Sequence, residues 1–121
     1  MPRQFVVGLF HSKGIAEDAC NRLKTEGVSA DSITLMMLRA RAPSSAVIAS
    51  ELAALTVDPM VVGDVQATYA PTIRNGETAV FVRTHDEDEV DLAVDTIRLY
   101  APLKVRVVTA DRGTVLGRDI G

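Results

Sequence analysis

The chain has 121 residues, of which 47% are apolar, and a formal net charge of −3 at pH 7. This length supports one domain with a single core. The net charge argues against nucleic acid or an acidic membrane surface as a partner. The single cysteine excludes an internal disulfide, so we expect a cytoplasmic protein. No apolar run resembles a secretory leader or approaches the roughly 20 residues that cross a bilayer.

The first third of the chain predicts a strand followed by a helix. Residues 4–10 (QFVVGLF) are apolar at nearly every position, which is typical of a central strand covered on both sides. Gly8 within this strand indicates a close approach by a neighbouring element. Ser12 is a candidate N-cap for a helix that ends at Gly27. Cys20 lies on the apolar face of this helix, so we expect a buried thiol that reacts slowly.

A second strand and an insertion follow. In the strand at residues 32–38, the consecutive Met36 and Met37 must point to opposite faces. One is expected in the core and the other at a contact surface, where adaptable methionine side chains are useful. Residues 39–74 are expected to form an insertion that carries two helices. These helices are predicted at residues 46–56 and 62–74.

The most clearly punctuated part of the chain predicts strand, helix and strand at residues 77–84, 86–100 and 103–108. Asp86 and Glu89 match a capping-box pattern at the start of the helix. The acidic first turn suits the helix dipole. We interpret it as a solvated helix start and not as a metal site, because no His or Cys joins it at ligand spacing. We therefore predict no metal and no cofactor.

The order of elements predicts an α+β domain. Two strand–helix–strand units favour a ferredoxin-like split β-α-β sandwich, with four antiparallel strands and two helices on one face of the sheet. The domain is predicted to span residues 1–108, with the helical insertion at about 39–74. Residues 109–121 are predicted to be a C-terminal tail that is loosely held or contains a short strand. A small doubly wound α/β sheet is the alternative.

Four segments together resemble the bacterial heat-induced, general-stress protein domain (YflT-like). They are VVGLF, GIAEDACNRLKTEG, VSADSITLMML and RNGETAVFVRTHDEDEVDLAVDTIRLYA, within residues 5–38 and 62–108. The chain departs from the family in the middle, where many relatives have a long Gly/Ala-rich segment, and in the tail. The resemblance implies a stress-associated role and brings no catalytic residues that could be transferred.

A non-enzymatic module that acts by self-association or partner binding is the first functional hypothesis. Two helices can cover only one face of a four-stranded sheet, so the other face would leave an apolar patch that needs a partner. We therefore expect a homodimer or a higher homo-oligomer. The candidate interface residues are large apolar residues on the predicted strands: Phe10, Met36, Met37 and Phe81.

Two other hypotheses remain open. The first is a sensor that binds a small anionic metabolite between protomers, and its candidate residues are the arginines near strand ends or on strands: Arg39, Arg41, Arg74, Arg83 and Arg106. The second is a small oxygenase or isomerase with a pocket on the open sheet face. That chemistry needs a proton-transfer residue on the face, whereas His11 and His85 are predicted at strand ends. No catalytic residue is assigned.

Overall fold

The computed structural model describes residues 3–39, 59–69, 72, 75–111 and 114–120. Within these residues it has an α+β fold, in which three α-helices pack on one five-stranded sheet. The strands are β1 (Arg3–Phe10), β2 (Ile33–Arg39), β3 (Asn75–Thr84), β4 (Lys104–Asp111) and β5 (Thr114–Ile120). The helices are α1 (Lys13–Thr25), α2 (Pro59–Tyr69) and α3 (Glu87–Arg98), and a single 3-10 turn occupies Ala30–Ser32.

The sheet is antiparallel throughout the described strands, with the order β2-β3-β1-β4-β5. β1 is central, and its Val6 lies opposite Val82 of β3 and Val107 of β4. The α+β prediction is confirmed, and the doubly wound alternative is wrong because its strands would be parallel. The sheet also has one strand more than we predicted. The segment at 109–121, expected to be a tail, contains β5, which pairs along β4 from Asp111↔Thr114 to Val105↔Ile120.

Each face of the sheet has its own apolar core. On the first face, Val6, Val80 and Val107 pack with apolar residues of α1 and α3, as predicted for the two helices. On the second face, Phe5 and Phe81 pack with residues of α2. We call these the α1/α3 face and the α2 face. Burial of β1 on both faces confirms that it is a central strand.

Local signals at the helix ends are confirmed. The hydroxyl oxygen of Ser12 accepts a hydrogen bond from the backbone N–H of Ile15 at 3.4 Å. Asp86 Oδ1 accepts one from the N–H of Glu89 at 2.8 Å. Gly27, with φ of 106°, takes the left-handed conformation that follows the end of α1.

The second helix begins earlier than its hydrophobic pattern indicated. We predicted residues 62–74, but α2 is Pro59–Tyr69. Proline lacks a backbone N–H, which a residue in the first helical turn does not need, and its φ already suits a helix. Pro59 therefore starts α2 three residues before the predicted beginning. The helix predicted at 46–56 lies outside the described residues.

Replacing Gly8 with alanine should destabilise the protein by about 1–3 kcal/mol, because the central strand has no room for a methyl group. A Cβ at this position would lie 2.6 Å from Cγ2 of Ile97 in α3 and 3.0 Å from Cε2 of Phe10. Gly14→Ala in α1 is the matched control, since a Cβ there meets nothing within 4 Å. It should be neutral or stabilise by up to about 1 kcal/mol. Urea denaturation measures both, and equal effects would contradict the close approach.

Candidate functional site

The structure does not bring the predicted arginines together. Arg41 and Arg74 lie outside the described residues, and of Arg39 only the backbone position is described, opposite Asn75. Arg83 lies eight residues further along β3, which corresponds to roughly 26 Å. Arg83 and Arg106 share the α2 face but are separated by β1 and offset along it, about 12 Å apart by strand geometry. The three placed arginines therefore form no common anion site.

Arg106 lies instead in a polar cluster between α2 and the last two strands. Its Nε donates to Asp64 Oδ2 at 2.9 Å, and its Nη1 donates to Asp119 Oδ1 at 2.9 Å. The hydroxyl of Tyr69 donates to the same Asp119 oxygen at 2.9 Å. We call these four residues the Arg106 cluster. Two of them come from α2, one from β4 and one from β5, so the cluster joins three elements.

Strand pairing and one glycine create this geometry. The β4–β5 register sets Arg106 opposite Asp119. A Cβ at Gly117 of β5 would lie 2.5 Å from both Nε and Cζ of Arg106, so any side chain there would occupy the place of the guanidinium. On α2, Asp64 and Tyr69 are five residues apart, or about 7.5 Å along the helix axis. This spacing lets the helix reach both the guanidinium and Asp119.

The ionisation of the cluster follows from its burial and its pairing. The Arg106 side chain is only 12% exposed. That burial by itself would lower the pKa of Arg106, but hydrogen bonds to Asp64 and Asp119 outweigh it, and the pKa is raised. Burial would likewise raise the pKa of Asp119, yet hydrogen bonds from Arg106 and Tyr69 bring it below the usual range. Burial, followed by the hydrogen bond to Asp119, raises the pKa of Tyr69.

The chemistry available to the cluster is therefore that of a fixed ion pair. One guanidinium is bonded to two carboxylates, and the neutral Tyr69 phenol donates its proton to Asp119. An anionic ligand at Arg106 would have to displace both carboxylates. The arrangement holds α2 against the sheet. Of its residues, sequence reasoning had singled out Arg106 alone. The signal that could have found a partner is the position of Arg106 between Val105 and Val107, since a charge on a buried strand needs one.

Cys20 is buried, as predicted, at 7% exposure in the core of the α1/α3 face. Burial raises the pKa of its thiol to about 11, while Lys24 lowers it and Glu17 raises it by smaller amounts. At neutral pH the thiolate needed for nucleophilic chemistry is therefore scarce. The structure provides no sign of an activated cysteine at this position.

The two histidines lie at strand ends, as predicted, and these ends are at opposite sides of the sheet. His11 follows β1 next to the Phe10↔Thr78 pair, whereas His85 follows β3 next to the Gln4↔Thr84 pair. His85 Nδ1 lies 3.0 Å from Glu89 Oε1, and its side chain is exposed. The described residues contain no group of three or more His, Cys, Asp or Glu that could hold a metal ion.

The candidate interface residues divide between core and surface. Phe10 is fully buried on the α1/α3 face, and Phe81 is fully buried on the α2 face. Met36 is partly buried against the α2 face. Met37 is 51% exposed and is one of few large apolar side chains on the described surface. The structure thus shows one methionine facing inward and the other outward.

Comparison of the chain with protein-family models, with curated proteins and with solved structures found no match. Within the described part of the chain, no helix is long and apolar enough to cross a membrane.

Replacing Arg106 with glutamine should destabilise the protein by about 2–3 kcal/mol at pH 7, because Asp64 loses its partner under α2. Because the pKa of Asp119 is lowered in the folded protein, the ionised carboxylate contributes to stability at neutral pH. This contribution is lost as the pH falls below about 4. The variant should therefore differ less from the native protein at pH 3 than at pH 7. Urea denaturation at both pH values measures this. Arg118→Gln, at an exposed position on β5, is the control and should change little.

Stability should decline by about 1 kcal/mol between pH 8 and pH 10 because of Cys20. Its folded pKa of about 11 exceeds the ordinary value of 9.0, so the unfolded chain loses this proton first as the pH rises. The contribution is complete below pH 9 and lost by pH 11. Cys20→Ala should remove this part of the alkaline decline. An identical decline in the native protein and the variant, each followed by urea denaturation, would show that the thiol is not responsible.

Proposed function

We propose that this protein is a non-enzymatic module of the stress-associated or regulatory kind, and that it acts through self-association. Its resemblance to the heat-induced, general-stress protein domain supports the stress-associated part. The observation that carries the self-association part is a difference between the two edge strands of the sheet, since one has charged residues that hinder pairing with another chain and the other has almost none.

We also propose a ferredoxin-like arrangement for the core of the fold. The first four strands lie in the order β2-β3-β1-β4, and α1 and α3 share one face. Each parallel pair, β1 with β2 and β3 with β4, has a strand from the other unit between its members, which is what a split β-α-β topology requires. β5 extends the sheet beyond β4.

The edge formed by β5 has charged residues, whereas the edge formed by β2 has almost none. β5 (TVLGRDI) includes Arg118 and Asp119 in its exposed part. Charged residues on an edge strand hinder pairing with another chain. β2 (ITLMMLR) has no charge before Arg39, its last residue. Among the described strands it has β3 as its one neighbour, and Met37 is half exposed. An edge of this kind favours association through strand addition.

Self-association through the sheet face, the route suggested by the sequence, has less support. Phe5, Phe81 and Val108 on the α2 face are all fully buried within a single chain. A second copy would have to displace the covering residues before it could contact them. The half-exposed Met37 at the edge needs no such rearrangement, so the β2 edge is the better supported contact.

The two alternative functions have weaker support in the described residues. A sensor that uses Arg106 would have to break its bonds to Asp64 and Asp119 before an anion could bind. An oxygenase or isomerase of the open-face type needs a pocket on the sheet. Val7 and Phe81, at the centre of the α2 face, are fully buried, so this part of the face is not open to a substrate.

At micromolar concentration, light scattering should give a mass of about twice 13.0 kDa for the native protein. Met37→Glu should shift the mass toward the monomer, because a charge at the β2 edge opposes pairing. Leu116→Glu is the matched control, an equally drastic change at a 68% exposed leucine on the β5 edge, and should leave the mass unchanged. A native mass of 13.0 kDa at every concentration would refute self-association.

A further inference from the structure

We propose that β5 is a detachable strand, which opens from β4 while the rest of the described fold stays in place, and that Asp119 is the side chain that holds it closed. The proposal does not depend on self-association, because it concerns the edge of the sheet opposite β2. Three observations carry it. They are the shallow attachment of β5, the position of both its side-chain hydrogen bonds on one residue, and the partner that Arg106 keeps when β5 leaves.

β5 is attached to the sheet less firmly than the strands inside it. Whereas β1, β3 and β4 each pair on two sides, β5 pairs with β4 alone among the described strands. The side chains of Leu116, Arg118 and Asp119 are exposed. Val115 and Ile120 are only partly buried against the two cores. A segment with few buried apolar contacts opens with a smaller free energy than the core, so β5 is the strand expected to open first.

Asp119 supplies the polar attachment of this strand. Two hydrogen bonds join the described side chains of β5 to other elements, and both end on Asp119 Oδ1. The Tyr69 hydroxyl and Nη1 of Arg106 each donate to this oxygen at 2.9 Å. Both bonds involve an ionised carboxylate, which makes them stronger than bonds between neutral groups. We therefore call Asp119 the latch of β5.

The Arg106 cluster allows β5 to leave without stranding a charge. Arg106 also donates from Nε to Asp64 Oδ2 at 2.9 Å and from Nη2 to Asp64 Oδ1 at 3.4 Å. These bonds to α2 do not involve β5, so the guanidinium remains paired when Asp119 moves away. The Asp119 side chain is already 50% exposed in the closed state, and its carboxylate returns readily to water. Opening therefore avoids the unpaired buried charge that makes other broken ion pairs costly.

Opening changes what the sheet presents to solvent. In the closed state the outer edge of β4 is paired with β5 from Val105 to Asp111, and detachment frees the backbone groups of this edge. Arg106 Nη1 and the Tyr69 hydroxyl lose the acceptor that they share. An unpaired strand edge is open to pairing with another strand. β5 thus acts as a cover that keeps the β4 edge closed while the latch is intact.

Native-state hydrogen exchange, followed by NMR on the full chain, tests whether β5 opens alone. The β5 amides that donate to β4 should exchange at least about a hundredfold faster than the paired amides of β1. Val90→Ala truncates a buried side chain of α3 and should speed exchange in β1 by about tenfold. The same variant should leave the β5 amides within about twofold of the native rate. Equal acceleration of both strands would show that β5 opens only when the whole domain unfolds, and would overturn the proposal.

Substitutions in and beside the cluster test the latch with the same β5 amides. Asp119→Ala should speed their exchange by about tenfold, because it removes both side-chain bonds. Tyr69→Phe removes only one bond and should have a smaller effect in the same direction. Arg118→Ala is the matched control, an exposed neighbour on the other side of the strand, and should change the rate less than about twofold. If Asp119→Ala and Arg118→Ala have equal effects, Asp119 is not the latch.

Discussion

The central strand β1 carries apolar side chains in both directions, so the chain has to bury both faces of its sheet. Phe5, Val7 and Leu9 point to one face, while Val6 and Phe10 point to the other, and all five are fully buried. α1 and α3, which are joined to the sheet by short connections, cover one face. The second face also has to be covered, and within the described residues α2 covers it. The rest of the architecture follows from this requirement.

The two faces are held by different interactions. The α1/α3 face is closed by aliphatic packing, and it is tight enough at Gly8 that Ile97 occupies the place of a side chain. The α2 face combines apolar packing of Val61 and Val65 with the Arg106 cluster at its border. Because Asp119 belongs to β5, the fifth strand and α2 stabilise each other through this cluster. Among the described residues, no buried side-chain nitrogen or oxygen lacks a hydrogen-bond partner.

This arrangement bears on how the protein can act. A charge that is bonded within its own chain stabilises the fold and is poorly available to a ligand. Among the candidate ligand-binding arginines, Arg106 is the clearest example, because it is paired with Asp64 and Asp119. Half-exposed Met37, at an edge strand with little charge, has the opposite character, since covering its apolar surface with a partner would lower the free energy. The proposed role as a self-associating module follows from this contrast between a satisfied interior and an apolar edge.

Short-range features were readable from the sequence because their causes are local. Ser12 and Asp86 cap helices with bonds that span three residues, and Gly27 ends a helix through its own φ. Alternation of apolar residues likewise marked the positions of β3 and β4. The two βαβ-like units could therefore be placed in order, and the buried Cys20 could be assigned to the core.

The tertiary structure alone decided which distant groups meet. Arg106 bonds to Asp64 across 42 positions, and Tyr69 bonds to Asp119 across 50, and no local pattern encodes such partners. The same holds for β5, whose polar sequence gives a weak strand signal by itself and becomes a strand by pairing with β4. Sequence thus determined the helices and strands that arise from near neighbours. Which strands pair and which charges meet was decided only by the tertiary structure. These interactions are stabilised by contacts that form only when remote segments pack together.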